Sequence, residues 1–174
     1  RAGYYEKRGD TIAYNNEIRN ALMNRRIDVD TKLSIFSTYI VGLMKKKQEL
    51  NRVDSLFAEM LEQYPQEEPV HRLFGMYLSS RKDFSRAEEQ YAIAADLAPT
   101  NPENWLQLIG LYLYQEKYAE VIRVGKRAIQ YVPDQKDIYM YVAVASAQTK
   151  SYDEALSMLE TGLNYVEEND AGTK

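Results

Sequence analysis

An all-α fold of stacked helical hairpins is predicted by three features of the sequence. Prolines recur at Pro65, Pro99 and Pro133, 34 residues apart each time. Each closes a stretch of similar build: "SLFAEMLEQYP", "RAEEQYAIAADLAP" and "EVIRVGKRAIQYVP". Between the prolines, apolar residues return at helical spacing, as at Ala87, Tyr91 and Ala94, so each period holds two amphipathic helices. A sustained period of this length marks a repeat array, in which no unit buries its faces alone and neighbours must stack.

Taken in order, residues 1–33 form a partial helical unit and loop. "GYYEKRGDTIAYNNEIRNAL" reads as the end of one helix, a turn at Gly9-Asp10 and a second helix ending near Arg25. Tyr5, Gly9, Asp10, Ala21 and Leu22 keep the pattern in a frame offset by five residues. The loop "RRIDVDTK" absorbs that offset, with Asp30 or Thr31 as the expected N-cap of the next helix. Residues 34–67 are a degenerate repeat, with Ser37 where an aromatic is expected and Val53 in place of Ala.

Residues 68–101, 102–135 and 136–167 are the better repeats. Their internal links "RKDF", "QEKY" and "TKSY" are polar turns, each followed by an aromatic that opens the second helix. Small residues such as Gly75, Ala87 and Ala94 allow close helix approach, and aromatics fill the remaining volume. "PTNPENW" is the joint between two repeats, with Pro102 in the first turn of its helix. The last repeat has Gly162 where Ala is expected and Glu167 where Pro is expected. Its final helix, about 152–166, carries Leu156, Leu159, Leu163 and Val166 with no polar helix after it. Residues 168–174 read as a solvated tail. Solenoid ends need a polar cap, so either more repeats follow, the favoured reading, or this face meets a partner or a second copy.

Composition narrows the function. The 174 residues are 45% hydrophobic and 28% charged, as in a globular protein, with a net charge of −4. The pI of about 5.2 argues against a surface for nucleic-acid phosphates. No apolar run is long enough to cross a bilayer. The single basic run, Lys45-Lys46-Lys47, favours a helix C-terminus rather than a binding site. Without cysteine there is no disulfide or thiolate metal site. The chain begins at Arg1 within structured sequence and is read as an excised fragment. The only histidine, His71, is assigned to packing, since no oriented partner for general-base chemistry is evident. The carboxylate pairs Glu67-Glu68, Glu88-Glu89 and Glu167-Glu168 point to different azimuths of a helix and read as solvated faces. No phosphate loop, nucleophile elbow or metal spacing is present. An enzyme, a metal and a cofactor are therefore not expected.

In the 34-residue frame His71, Trp105 and Tyr139 share one slot; Ala87 and Ala155 share another; Ala94 and Ala128 a third; Pro65, Pro99 and Pro133 a fourth. This pattern resembles the tetratricopeptide repeat, with an aromatic at position 4, Ala at 20 and 27, and Pro at 32. The resemblance implies a right-handed superhelical solenoid whose first helices line a concave groove. Positions 2, 5, 9, 12 and 13 would point into it. Carried onto this chain, the groove residues are Arg72, Met76, Ser79 and Ser80, then Leu106, Gly110, Leu113 and Tyr114, then Met140, Val144, Ala147 and Gln148. The degenerate repeat would add Ile35, Thr38, Gly42 and Lys45. Family members that clamp acidic C-terminal tails use Lys, Arg and Asn there; here only Arg72 and Lys45 qualify, so a carboxylate clamp is not expected.

The expected function is a non-catalytic protein–protein interaction scaffold that takes a peptide or helix in an apolar groove, with no nucleic acid and no membrane insertion. The alternatives are packing of the strip inward, filling of the groove by another part of a longer chain, a structural spacer or end-to-end homodimer through the C-terminal helix, an accessory domain of an enzyme encoded elsewhere in a longer chain, and RNA binding as in related helical repeats. The style of the repeats resembles bacterial members of the family, many of them exported, which implies the cell envelope with the cytoplasm as the alternative.

Overall fold

A computed structural model of the chain describes residues 2–45 and 51–171. Its helices are α1 (Ala2–Arg8), α2 (Thr11–Met23), α3 (Val29–Lys45), α4 (Asn51–Gln63), α5 (Glu68–Ser80), α6 (Phe84–Leu97), α7 (Pro102–Tyr114), α8 (Tyr118–Ile129), α9 (Lys136–Gln148) and α10 (Tyr152–Ala171). No strand occurs among the described residues. The fold is all-α, of the helical-repeat class. Packing divides the chain within α5 into a unit that ends at Phe74 and a unit that begins at Gly75.

In the second unit the repeat is visible as a repeated burial register. The buried residues of α7 are Asn104, Trp105, Leu108, Ile109, Leu111 and Tyr112. Those of α9 are Ile138, Tyr139, Val142, Ala143, Ala145 and Ser146, each 34 residues further on. Small residues set the distance between helices. A Cβ added to Gly125 would stand 2.2 Å from Val142 Cγ2, and one added to Gly75 would stand 2.7 Å from the Tyr91 ring. A side chain at either glycine requires the facing Val142 or Tyr91, or the helix that carries it, to shift.

The hairpin turns of the second unit close in the same way. Residues Lys82, Glu116 and Lys150 adopt left-handed φ values of 62°, 56° and 62°. The amides that follow them reach back to the last helical turn: Asp83 to the Leu78 carbonyl, Lys117 to Tyr112 and Ser151 to Ser146, at 3.0, 2.9 and 2.8 Å. This is a Schellman closure, which satisfies carbonyls that a helix end leaves open. In the first unit Gly9, φ 71°, takes the same place between α1 and α2, with Asp10 N bonded to the Tyr5 carbonyl.

The repeat joints carry a shared bond that residue types alone did not suggest. Trp105 Nε1 donates to the Pro99 carbonyl at 2.7 Å, and the Tyr139 hydroxyl donates to that of Pro133 at 3.0 Å. In the first unit His71 Nε2 lies 3.1 Å from the Pro65 carbonyl. A carbonyl only accepts, so in this contact Nε2 is the donor. His71 is thus a buried packing residue with an oriented bond. Asn104 adds a second tie by donating to the carbonyls of Ala94 and Ala98 at the end of α6.

The first unit departs from the expected register. Aromatic packing runs from Phe36 to Phe57 to Phe74, with ring centroids 4.5 and 4.3 Å apart. Phe36, Tyr39, Ile40 and Leu43 are the buried apolar residues of α3, so Phe36 fills the aromatic slot assigned to Ser37. Val53, Phe57 and Met60 of α4 are buried in the expected frame. The two helices therefore differ by one residue of register, which moves the outward face of α3 to Thr38, Val41, Met44 and Lys45 and leaves Ile35 and Gly42 half-buried. The N-cap is Asp28, not Asp30 or Thr31. Its carboxylate accepts from the Thr31 amide and hydroxyl, both at 2.8 Å, and these bonds hold it below the usual carboxylate range.

Lys32 is buried in full, its ammonium 2.5 Å from the Tyr64 hydroxyl and above that ring. Of the basic run, Lys45 closes α3, while Lys46 and Lys47 lie outside the described residues. At the other end α10 continues to Ala171, so helix replaces the first part of the expected tail.

Candidate functional site

The candidate groove residues in the second unit lie on successive turns of α5, α7 and α9. The buried register described above leaves the intervening positions outward. On α7 these are Leu106, Gly110, Leu113 and Tyr114; on α9 they are Met140, Val144, Ala147 and Gln148. Tyr114, Met140 and Val144 are 69%, 46% and 47% exposed, while Leu106 and Leu113 are half-buried. Met76 and Ser80 of α5 are exposed and Ser79 is half-buried. Tyr114, Met140 and Val144 therefore do not pack inward within their unit. Tyr114 is steadied by an edge contact with Phe84, centroids 5.3 Å apart.

Part of this face is hollow. A depression of about 240 Å³ is lined by Ser79, Tyr91, Leu106, Gln107, Gly110 and Leu111. A Cβ on Gly110 would meet nothing within 4 Å, so this glycine widens the depression rather than admitting a neighbouring helix. Leu106 and Gly110 are thus brought together with Ser79. Tyr91 and Gln107 were missed by sequence reasoning. Gly75 was the available signal for Tyr91, because a missing side chain there lets the ring of α6 lie against α5.

Two further outward groups went unassigned. Glu103 and Asp137 occupy the second position of α7 and α9, both exposed, and Glu103 accepts from Gln107 Nε2 at 2.8 Å. Arg72 belongs to the first unit, where its guanidinium pairs with Glu68 at 2.8 Å. Ser80 gives its hydroxyl to the Tyr77 carbonyl at 2.6 Å. Gln148 is exposed at the end of α9.

The rest of the unit holds these helices in place. Arg127 lies over the Trp105 ring and pairs with Asp96 at 2.7 Å, and Trp105 stacks on Tyr131. Lys117 and Gln115 both engage Glu88, and Lys126 engages Glu154. Glu68 and Glu88 are therefore ion-paired members of carboxylate pairs read as solvated. The side chains of Glu167 and Glu168 lie outside the described residues. The Lys126 ammonium, with the Ser146 hydroxyl, holds the Glu154 carboxyl low. Burial, with Tyr165 beside it, pushes the Tyr139 phenol up to about 12.

Among the described residues no group of His, Cys, Asp and Glu is arranged to hold a metal ion, and no helix is long and apolar enough to cross a membrane. The outward face offers shape and apolar surface.

No family model matches the chain, and no curated protein matches it in sequence. Solved structures do match in fold. Two structures of MamA align over 98% and 99% of this chain and 96% and 91% of theirs, with 16% and 17% identity and TM-scores of 0.67 and 0.68. PilF of Pseudomonas aeruginosa aligns over 94% of this chain and 72% of its own, with 16% identity and a TM-score of 0.59. Both proteins are of tetratricopeptide type, and the fold of this chain is tetratricopeptide-like.

Proposed function

We propose that the chain is a non-catalytic interaction scaffold that binds a peptide or helix of another protein on the outward face of α7 and α9. The observation that carries this reading is the apolar strip of Leu113, Tyr114, Met140 and Val144, much of it exposed, beside the depression at Gly110. An apolar patch left open on a helical array is a usual mark of an interaction site. Met140 supplies an adaptable contact and Tyr114 a rigid one. Met76, Ser80, Leu106 and Gln148 extend the face, while Arg72 is a separate candidate of the first unit, paired there with Glu68. The repeats 68–101, 102–135 and 136–167 would then be the modules that present it.

The net charge of −4 favours a protein ligand over a nucleic acid. The test is affinity capture with the wild type and with a Tyr114→Glu/Val144→Glu variant, both exposed positions. Loss of a captured partner in the variant, recovered as direct binding of that partner's purified segment to the wild type, supports the groove; equal capture by both proteins overturns it.

A further inference from the structure

The last helix presents a second surface, apart from the groove. Tyr152, Leu156, Leu159 and Leu163 of α10 are all exposed and follow one another by four, three and four residues. That spacing lays them along one side of a helix, as in the seam of a coiled coil. Beside them a hollow of about 280 Å³ is lined by Tyr139, Met140, Leu159, Gly162 and Leu163, with Lys136 and Asp137 completing the lining.

The preceding hairpin shows what such a seat accepts. Gly125 stands 34 residues before Leu159, and there Val142 and Ile138, four residues apart on α9, cover α8. Alongside that apolar contact, successive second helices are joined by opposite charges: Asp96 to Arg127, then Lys126 to Glu154. Continued onto α10, the same interface calls for a helix with apolar residues one turn apart and a charge that answers α10.

That charge is negative without exception. α10 contains Asp153, Glu154, Glu160, Glu167, Glu168 and Asp170 and neither Lys nor Arg. Glu154 is taken by Lys126, while Asp153 and Glu160 are exposed one turn from Leu156. A second α10 would set like charges against like, which penalises pairing of two copies through this helix. We propose that α10 docks a basic amphipathic helix of a partner protein. Its apolar stripe would cover Leu156, Leu159 and Leu163, and its flanking Lys or Arg would meet Asp153 and Glu160. This inference does not rest on the groove, with which it shares Met140 and Asp137.

The test uses three labelled peptides of equal length, read by fluorescence anisotropy. The first is an amphipathic helix with Leu at heptad spacing and Lys flanks, the second has Glu flanks, and the third is a scramble of the first. The Lys-flanked peptide should bind about tenfold or more tighter than the other two and weaken as salt rises. Leu159→Glu/Leu163→Glu should remove that binding, and Tyr114→Glu/Val144→Glu should leave it unchanged. Should the α10 variant lose helicity by circular dichroism, Glu160→Lys carries the test, weakening the Lys-flanked peptide and strengthening the Glu-flanked one. Equal binding of the scramble, retention by the α10 variant, no response to Glu160→Lys, or loss in the groove variant would overturn the proposal. So would concentration-dependent self-association that Leu159→Glu/Leu163→Glu abolishes, since the occupant would then be a second copy.

Discussion

Tyr139 donates its hydroxyl to the carbonyl of Pro133 at 3.0 Å, and Trp105 makes the same bond to Pro99 one repeat earlier. The aromatic slot of these repeats is thus also a donor slot, which ties the start of one hairpin to the joint before it. Removing the Tyr139 hydroxyl leaves the ring in place and the carbonyl without its partner. Tyr139→Phe should therefore cost about 1 kcal/mol, whereas Tyr114→Phe on the exposed face should cost almost nothing. Urea unfolding of the two variants reads the difference; equal midpoints would mean the bond contributes nothing.

The same residue sets a pH response. Its phenol is pushed up to about 12, mainly by burial, against an ordinary value of 10. The neutral form is favoured in the folded state, so this contribution is intact below about pH 10 and is lost as pH rises towards about 12. Wild type should lose more stability between about pH 9 and pH 11 than Tyr139→Phe, measured by urea midpoints at both values. A larger loss in the variant would reverse the sign of this account.

Two glycines separate close packing from open space. Gly125→Ala drives a methyl to within 2.2 Å of Val142 Cγ2 and should destabilise by about 1–3 kcal/mol, with partial recovery on adding Val142→Ala. Gly110→Ala enters open space within a helix and should stabilise by about 0.5–1 kcal/mol. Thermal unfolding of the three proteins checks the order, and a destabilised Gly110→Ala would place a neighbour where the structure has none.

The hairpin turns carry removable strain. A side chain at left-handed φ costs roughly 1–2 kcal/mol, part of which glycine returns as freedom of the unfolded chain. Glu116→Gly, Lys82→Gly and Lys150→Gly should each raise stability by a few tenths to about 1 kcal/mol. A loss at all three would show that these side chains support the turn.

The sequence was legible where one residue type answers one physical need. Proline ended helices at the joints, Gly75 and Ala94 allowed close approach, and Pro102 opened α7, so hairpin number and register followed in the second unit. In the first unit Ser37 and Phe36 are neighbours, and a one-residue offset between α3 and α4 decides which turns inward. The N-cap was misread for a related reason, since Asp28 and Asp30 are both good caps and tertiary packing selects the helix start. Lys32 could not be found by type, because a lysine is buried only where a partner such as Tyr64 meets its ammonium. The apolar residues of the strip were named from their positions, but Tyr91 and Gln107 reach the depression from slots reserved for packing and for solvent.

Affinity capture from an extract of the source cell, comparing wild type with a folded Tyr114→Glu/Val144→Glu variant, tests the central claim most directly. Function in the groove requires a partner that the wild type captures, that binds it again when purified, and that the variant loses. Identical profiles from the two proteins, with both shown helical and equally stable, would contradict it and move the functional surface off α7 and α9.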